Sequence, residues 1–367
     1  MEVNNIADAS FDSKNFDSFI LTGDIGGTNT RFAVFAEKGC ELVLVMKTHF
    51  RSKELSSLSD AINKTLKYAK DNYNMDVSRA CFGCAGMLYE QRQIARFTNL
   101  DWHIDVSQIK EKTMLQEVRL LNDFTANSYG VPLLNEEDII TVPHSDGSTP
   151  EPGKNETKAL IGAGTGLGMS LLAFGLTKGY VPLPSEGGHT DFPPRDKLQR
   201  DLVDFLILHG LCNGADFPGW EDVCSGRGII NIFKFLTMTG RTEADHELLD
   251  ELEKTESKSG FISRSEEKAC KDTMTLFAKI LGQAAASCAL SSKALGGIYI
   301  AGGIAQKNID LIKDGGMMEA FDATKSPDHP LHEFIKKVPV FIISNPDLAH
   351  YGAANLLTSY SDRCTHE

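Results

Sequence analysis

Several common signals are missing from this chain. No G-x-x-x-x-G-K-S/T occurs, and the densest glycine cluster, Gly162, Gly164, Gly166 and Gly168, does not read G-x-G-x-x-G. P-loop and dinucleotide-binding turns are therefore set aside. No run approaches the roughly 18 to 20 apolar residues of a membrane span. The first sixteen residues are polar and acidic without the apolar stretch of a secretion signal, so the expected location is cytoplasmic and no membrane partner is expected. Positive charge is in deficit: 37 Lys and Arg face 50 Asp and Glu, a net charge of −13. Nucleic acid and anionic membrane surfaces select for the opposite balance. A nucleotide is not excluded, since Mg²⁺ and backbone dipoles neutralise phosphate. Paired cysteine motifs are also lacking. The eight cysteines lie scattered from Cys40 to Cys364, as expected of reduced thiols. Cys81-Phe82-Gly83-Cys84 has no second C-x-x-C and sits in an apolar, strand-like run where cysteine serves as a small hydrophobe. The Thr-His-Glu that follows Cys364 is not the aliphatic pair of a prenylation site.

What is present is a pair of similar glycine-rich stretches, LTGDIGGTNTRFAVF from Leu21 to Phe35 and LIGAGTGLGMSLLAF from Leu160 to Phe174. Each runs from apolar residues through small ones, rich in Gly and Thr, into a second apolar run, and reads as a β-hairpin with a tight turn. Such turns expose backbone N–H groups that phosphate oxygens approach closely, which a Cβ would obstruct. The length of 367 residues favours two domains with a cleft between them. Strand-like runs follow at Leu42 to Phe50, Ser78 to Gly86 and Glu117 to Asn122, with a helical stretch from Leu55 to Asn72. Thr141 to Thr157 reads as a loop before the second hairpin. A small-residue helix from Asp272 to Leu295, a strand Gly297 to Ile300, the turn Ala301-Gly302-Gly303 and a strand Val338 to Ser344 belong to the second lobe, and a terminal helical run follows from Asp347. The expected division is 1–133 plus 347–367 for a small α/β domain and 134–346 for a large one.

The polar residues at these turns suggest the chemistry. Asp24 precedes Ile25-Gly26-Gly27-Thr28-Asn29, and a carboxylate beside a phosphate turn implies Mg²⁺, or Mg²⁺-bound water, between them; the alternative is a simple turn former. Asn122-Asp123 end an apolar strand, placed either to donate a hydrogen bond and accept a proton or to form an Asx turn or helix cap. In Ser185-Glu186-Gly187-Gly188-His189-Thr190-Asp191, a carboxylate and an imidazole three apart suit a polyhydroxylated ligand. A metal on His189 and Asp191 is disfavoured because no Cys cluster or second His follows nearby. Glu221, just before the helix-start signal Ser225-Gly226, could reach the same ligand or lie in a solvated turn.

Taken in order, GDIGGTNTRFAVF, LNDFTANSYG, GAGTGLG, SEGGHTDFPP, WEDVCSGRGIINIF and IYIAGGIAQ resemble the bacterial-type glucokinases of the sugar kinase, heat-shock protein and actin superfamily. The resemblance runs from about Leu21 to Ala354 and includes FTNLDWHID, Phe97 to Asp105. A related group carries a zinc-binding cysteine cluster after its E-x-G-H element, whereas Asp191-Phe192-Pro193-Pro194 stands here; nor does a helix-turn-helix precede Asp24. Both features disfavour a sugar-sensing repressor. The resemblance implies an α/β, two-lobed actin-like ATPase (ribonuclease H-like) fold with a central cleft. It implies a cytoplasmic homodimer that transfers the γ-phosphoryl of ATP to O6 of glucose. Asn122, Asp123, Glu186, His189 and Glu221 would grasp glucose, with Asp123 as the base. Asp24, Gly26, Gly27, Thr28, Asn29, Gly164, Thr165 and Gly166 would hold phosphates and Mg²⁺, and Gly302-Gly303 would let adenosine lie against the backbone. Another hexose as acceptor, or a non-catalytic sugar-binding ATPase-fold protein, is the alternative. Gly86-Met87 stands where relatives often have a proline, and residues 1–15 have no clear counterpart.

Overall fold

The structure, a computed structural model, describes residues 1–359 other than 9, 40, 90–92, 98–99, 176–178 and 315. Cys40, Cys364 and part of the Phe97 to Asp105 motif fall outside them. Chain contacts divide the protein into two compact units: Met1–Leu134 with Gly175–Pro182 and Asn345–Glu367, and Asn135–Phe174 with Leu183–Ser344.

The first unit is built on strands β1 (Glu2–Asn5), β2 (Ser18–Ile25), β3 (Asn29–Lys38), β4 (Glu41–Arg51) and β5 (Arg79–Cys84). A small antiparallel sheet of β6 (Met87–Tyr89), β7 (Ile94–Arg96) and β8 (Ile104–Asp105) follows, and then β9 (Glu117–Asn122). The main sheet has the order β1-β4-β3-β2-β5-β9. The segment β1 to β4 pairs antiparallel throughout, and β2, β5 and β9 run parallel. The second sheet uses β10 (Ile139–Val142), β11 (Lys158–Ala163), β12 (Leu167–Gly175), β13 (Gly179–Ser185), β14 (Ile298–Ala301) and β15 (Val340–Ile343), in the order β10-β15-β14-β11-β12-β13. Here β11 and β12 form an antiparallel hairpin, and β11, β14 and β15 run parallel.

The series β4-β3-β2-β5-β9 and β13-β12-β11-β14-β15 therefore share one plan: a hairpin whose first strand continues into two parallel neighbours. Both glycine-rich stretches are hairpins, as their pattern predicts. Several strands differ from the sequence reading, which assigned none at β6, β7 or β8. β10 occupies the start of the segment read as a loop, because Ile139 to Val142 find their partner in β15, about two hundred residues away. The edge strand β13 was not anticipated. Residues 2–5, without an assigned role above, pair with β4 and extend the first sheet.

The helix Leu58–Tyr73 starts at the Ser57 cap, whose side chain accepts from Asp60 N, and ends at Asn74 in the left-handed conformation that a C-cap requires. The helix Lys268–Ser292 qualifies the expectation about membrane spans: its 25 residues include an 18-residue window of mean hydropathy 1.2, enough by length and composition to cross a bilayer. That window is 78% buried inside the protein, and the helix is the spine of the second core, packing Phe277, Ile280 and Leu281 there. Its Ala and Gly content permits the close approach expected of it: a Cβ on Gly282 would sit 2.0 Å from Met317 O.

The first unit contains a comparable contact. Helices Asp123–Gly130 and Leu348–Ser359 meet backbone to backbone, and a Cβ on Gly352 would lie 1.8 Å from Ala126 O. By contrast, a Cβ on Gly27 would meet nothing within 4 Å. Gly352→Ala is expected to destabilise the protein by about 1–3 kcal/mol, and Gly27→Ala to leave stability within about 0.5 kcal/mol. Denaturant unfolding of the two variants against wild type checks the contrast.

Candidate active site

On the first unit, the carboxyl ends of the parallel strands carry the acidic residues. Asp24 on β2 is in register with Gly83 on β5, and Gly83 with Leu121 on β9. Two strand spacings, roughly 10 Å, separate the outer pair. Open α/β sheets bind ligands at this rim. The β2–β3 turn is held from behind: Gly26 N donates to Asn29 O at 2.9 Å, Ser52 N to Thr28 O at 2.9 Å, and Ser52 Oγ to Gly26 O at 2.6 Å. Asn29 Oδ1 lies 2.8 Å from His49 Nε2. The Asp24 carboxylate is bound by Arg31, 3.1 Å across the hairpin, and stays partly exposed.

Asn122 is the N-cap of the helix Asp123–Gly130, its Oδ1 accepting from Phe124 N at 2.9 Å and Thr125 N at 3.2 Å. The capping reading thus holds for this side chain, which is also exposed. Asp123 is half-buried at the first helical position, its Oδ1 accepting from Phe124 N at 2.9 Å. Gly83 makes room for it, since a Cβ there would stand 3.5 Å from Asp123 Cα and 3.2 Å from Ala126 Cβ. Burial raises the Asp123 pKa above the usual carboxylate value, and the charge of Asp24 raises it further against the lowering by its hydrogen bonds.

The second unit gathers the other candidates. The β11–β12 turn is Gly164-Thr165-Gly166, closed by Gly164 N to Gly166 O at 2.9 Å. Gly226 N, at the start of the helix Gly226–Met238, donates to Gly164 O at 2.8 Å. Ser225 caps that helix, as its Ser-Gly signal predicts. Glu221 rests on the turn, its Oε2 accepting from Leu167 N at 2.9 Å, and a Cβ on Gly166 would fall 2.5 Å from that oxygen. Glu186 and His189 approach to 3.6 Å around a short 3₁₀ turn and are both exposed. Their segment is stapled to Glu221's by Trp220 N to Thr190 O, 3.0 Å, and Phe192 N to Pro218 O, 2.9 Å. The Glu186 segment also lies against β12, where a Cβ on Gly188 would sit 2.0 Å from Leu167 O. So Glu186, His189, Glu221 and the Gly164-Thr165-Gly166 turn are brought together on one unit, and Asp24, Asn122 and Asp123 on the other.

A cavity of about 890 Å³ opens within the second unit, lined by Gly164, Thr165, Gly166, Gly303, Lys258 and Arg227 among others. That volume falls within the range of ligand pockets. Gly302, with φ of 98°, brings the end of β14 beside β11, where a Cβ would strike Ala163 O at 2.4 Å. Among the described residues no three His, Cys, Asp or Glu side chains form a metal cage. One partly exposed carboxylate, Asp24, beside an open glycine turn suits a magnesium ion that keeps its waters and phosphate ligands.

Against known proteins, a model of the glucokinase family matches residues 21–360. The chain belongs to the glucokinase family. A glucokinase of Trichormus variabilis is 30% identical over 357 residues, covering 92% of this chain and 98% of the relative. A crystal structure of glucokinase from an Antarctic psychrotroph superposes with a TM-score of 0.76 at 27% identity, over 93% of this chain and 99% of that one. A glucokinase of Streptomyces griseus solved with glucose and AMPPNP shares the fold, with a TM-score of 0.61 at 19% identity over 92% of this chain and 99% of that one. Glucokinases are ATP-dependent sugar kinases, and the actin-like ATPase fold of these neighbours is the fold of this chain.

Sequence reasoning missed Arg227, whose guanidinium pairs with Glu221. A cation one residue into a helix, six residues after a glutamate, was the available signal. It also missed Leu167, which contributes only its N–H and so leaves no trace in side-chain chemistry.

The raised pKa of Asp123 has a consequence for stability. A carboxyl whose folded pKa exceeds its unfolded value favours folding below the unfolded pKa, about 3.9, and that contribution is lost as pH rises through the folded pKa. Asp123→Asn is therefore expected to be more stable than wild type at pH 7, with the gain shrinking towards pH 3.5. Urea unfolding at both values measures it; a gain independent of pH would contradict the burial of the charge.

Proposed function

We propose that this enzyme transfers the γ-phosphoryl of ATP to O6 of glucose, with Asp123 as the base. The observation that carries this reading is the half-buried Asp123, its pKa raised, on the same rim of parallel strands as Asp24, which stands two strands away. A hydroxyl is a poor nucleophile, and in phosphoryl transfer most of the catalysis is positioning and charge stabilisation. A carboxylate of raised pKa is a better acceptor for the proton released late in the transfer. Asn122 shares the strand end, and its capping bonds fix its carbonyl oxygen. Glu186, His189 and Glu221 hold the sugar hydroxyls; groups built to pair hydroxyls reject sugars that leave one unpaired.

Gly26, Gly27, Thr28, Asn29 and Gly164-Thr165-Gly166 receive the phosphates, and Gly302-Gly303 the adenosine side. The support is the bare turns and the cavity that Gly164, Thr165, Gly166 and Gly303 line. AMPPNP in the Streptomyces griseus structure is in keeping with this. Asp24 would hold Mg²⁺ through water, and the ion would neutralise phosphate charge. The reading includes a cytoplasmic location, in keeping with the buried, free thiols of the six described cysteines, and a homodimer, to be checked by sedimentation.

Asp123→Asn is expected to keep glucose binding and lower kcat by ~10² or more. A coupled assay over a panel of hexoses and donors measures it, and turnover within a few-fold of wild type would sink the assignment. Glu186→Gln and His189→Ala are expected to raise the glucose KM, while zinc chelators leave activity in Mg²⁺ unchanged; stoichiometric zinc in the purified protein would contradict this.

A further inference from the structure

Both oxygens of Glu221 are already engaged. Leu167 N, at the end of the phosphate turn, donates to Oε2 at 2.9 Å, and Arg227 Nη2 donates to Oε1. Arg227 is itself divided. Its Nε faces Asp222 Oδ1 at 3.5 Å, and neither atom has a hydrogen-bond partner among the described residues. Asp222 is buried, its other oxygen accepting from Gly219 N at 2.9 Å, and burial raises its pKa above the usual carboxylate value. One guanidinium thus serves two carboxylates. The same side chain lines the cavity together with Gly164, Thr165 and Gly166.

We infer that Arg227 is a positioning residue that couples sugar binding at Glu221 to nucleotide binding in the cavity. This rests on the reading of Glu221 as a sugar ligand and of the cavity as the nucleotide site. A sugar hydroxyl donating to Glu221 satisfies part of the demand that the carboxylate makes on Arg227. The guanidinium then has more of its charge and more of its donors to offer a phosphate oxygen. In the reverse direction, an anion drawing on Arg227 leaves Glu221 in greater need of the hydroxyl. The two effects are one free energy seen from two sites, so each ligand strengthens the other by the same factor. The fork geometry matters. A lysine supplies a point charge on a flexible stem and cannot span two carboxylates and a phosphate in one plane.

Calorimetric titration of glucose, with and without saturating AMPPNP and Mg²⁺, reads the coupling as a ratio of dissociation constants. Wild type is expected to bind glucose about 5-fold or more tightly with nucleotide present, the lower end of ordinary coupling. Arg227→Gln is expected to bring the ratio within about twofold of one, and Arg227→Lys to give an intermediate ratio at wild-type melting temperature; Arg227→Lys decides the matter should Arg227→Gln fail to fold. A wild-type ratio of one overturns the inference. So does a variant that loses glucose affinity while keeping the wild-type ratio, since Arg227 would then only support Glu221. A wild type that binds neither glucose nor AMPPNP alone would instead overturn the function proposed above.

Discussion

The second unit depends on a carboxylate lying directly on main chain. Glu221 takes the N–H of Leu167 and occupies the space where a side chain at Gly166 would be. A part-buried carboxylate needs donors to offset its lost hydration, and here they come from both sides: the turn's backbone and the Arg227 guanidinium. Turn, glutamate and helix start are consequently one assembly, since Gly226 N also holds Gly164 O. Glycine at 166 is a requirement of the acid as much as of any phosphate.

The first unit solves the same problem differently. Its turn is braced by Ser52 at the end of β4, through one backbone and one side-chain bond, and the acid Asp24 stands on the hairpin strand itself, paired with Arg31. The repeated strand order thus carries two unlike rims. One presents carboxylates at strand ends beside a helix that Gly83 and Gly352 allow to approach. The other presents a glycine turn, a supported glutamate and a cavity.

How much of this was legible follows from what is local. The hairpins announced themselves because both strands and the turn are contiguous in sequence, and β5 because a buried parallel strand reads as an apolar run. The cap at Ser225 and the helix after it were readable for the same reason. β10 was not: its four residues are held by β15, a partner no window of sequence contains. Asn122 and Asp123 were visible as a polar pair ending a strand, yet only the structure distinguishes the cap from the buried acid. Arg227 escaped because a charged residue near a helix start ordinarily faces water, and its two carboxylate partners become evident only when the 3₁₀ turn Trp220–Asp222 folds back on it.

The strand β1 lies ahead of the segment matched to the glucokinase family, and it covers the β4 side of the first sheet. An uncovered strand edge is a template for any extended segment that drifts past. Residues 2–5 pair with Met46 to His49 of β4 and carry exposed Glu2, Asn4 and Asn5. Asparagine is a poor strand former and a charged neighbour is a poor lure, so the extension works as a selvedge that keeps the woven edge from catching on another chain.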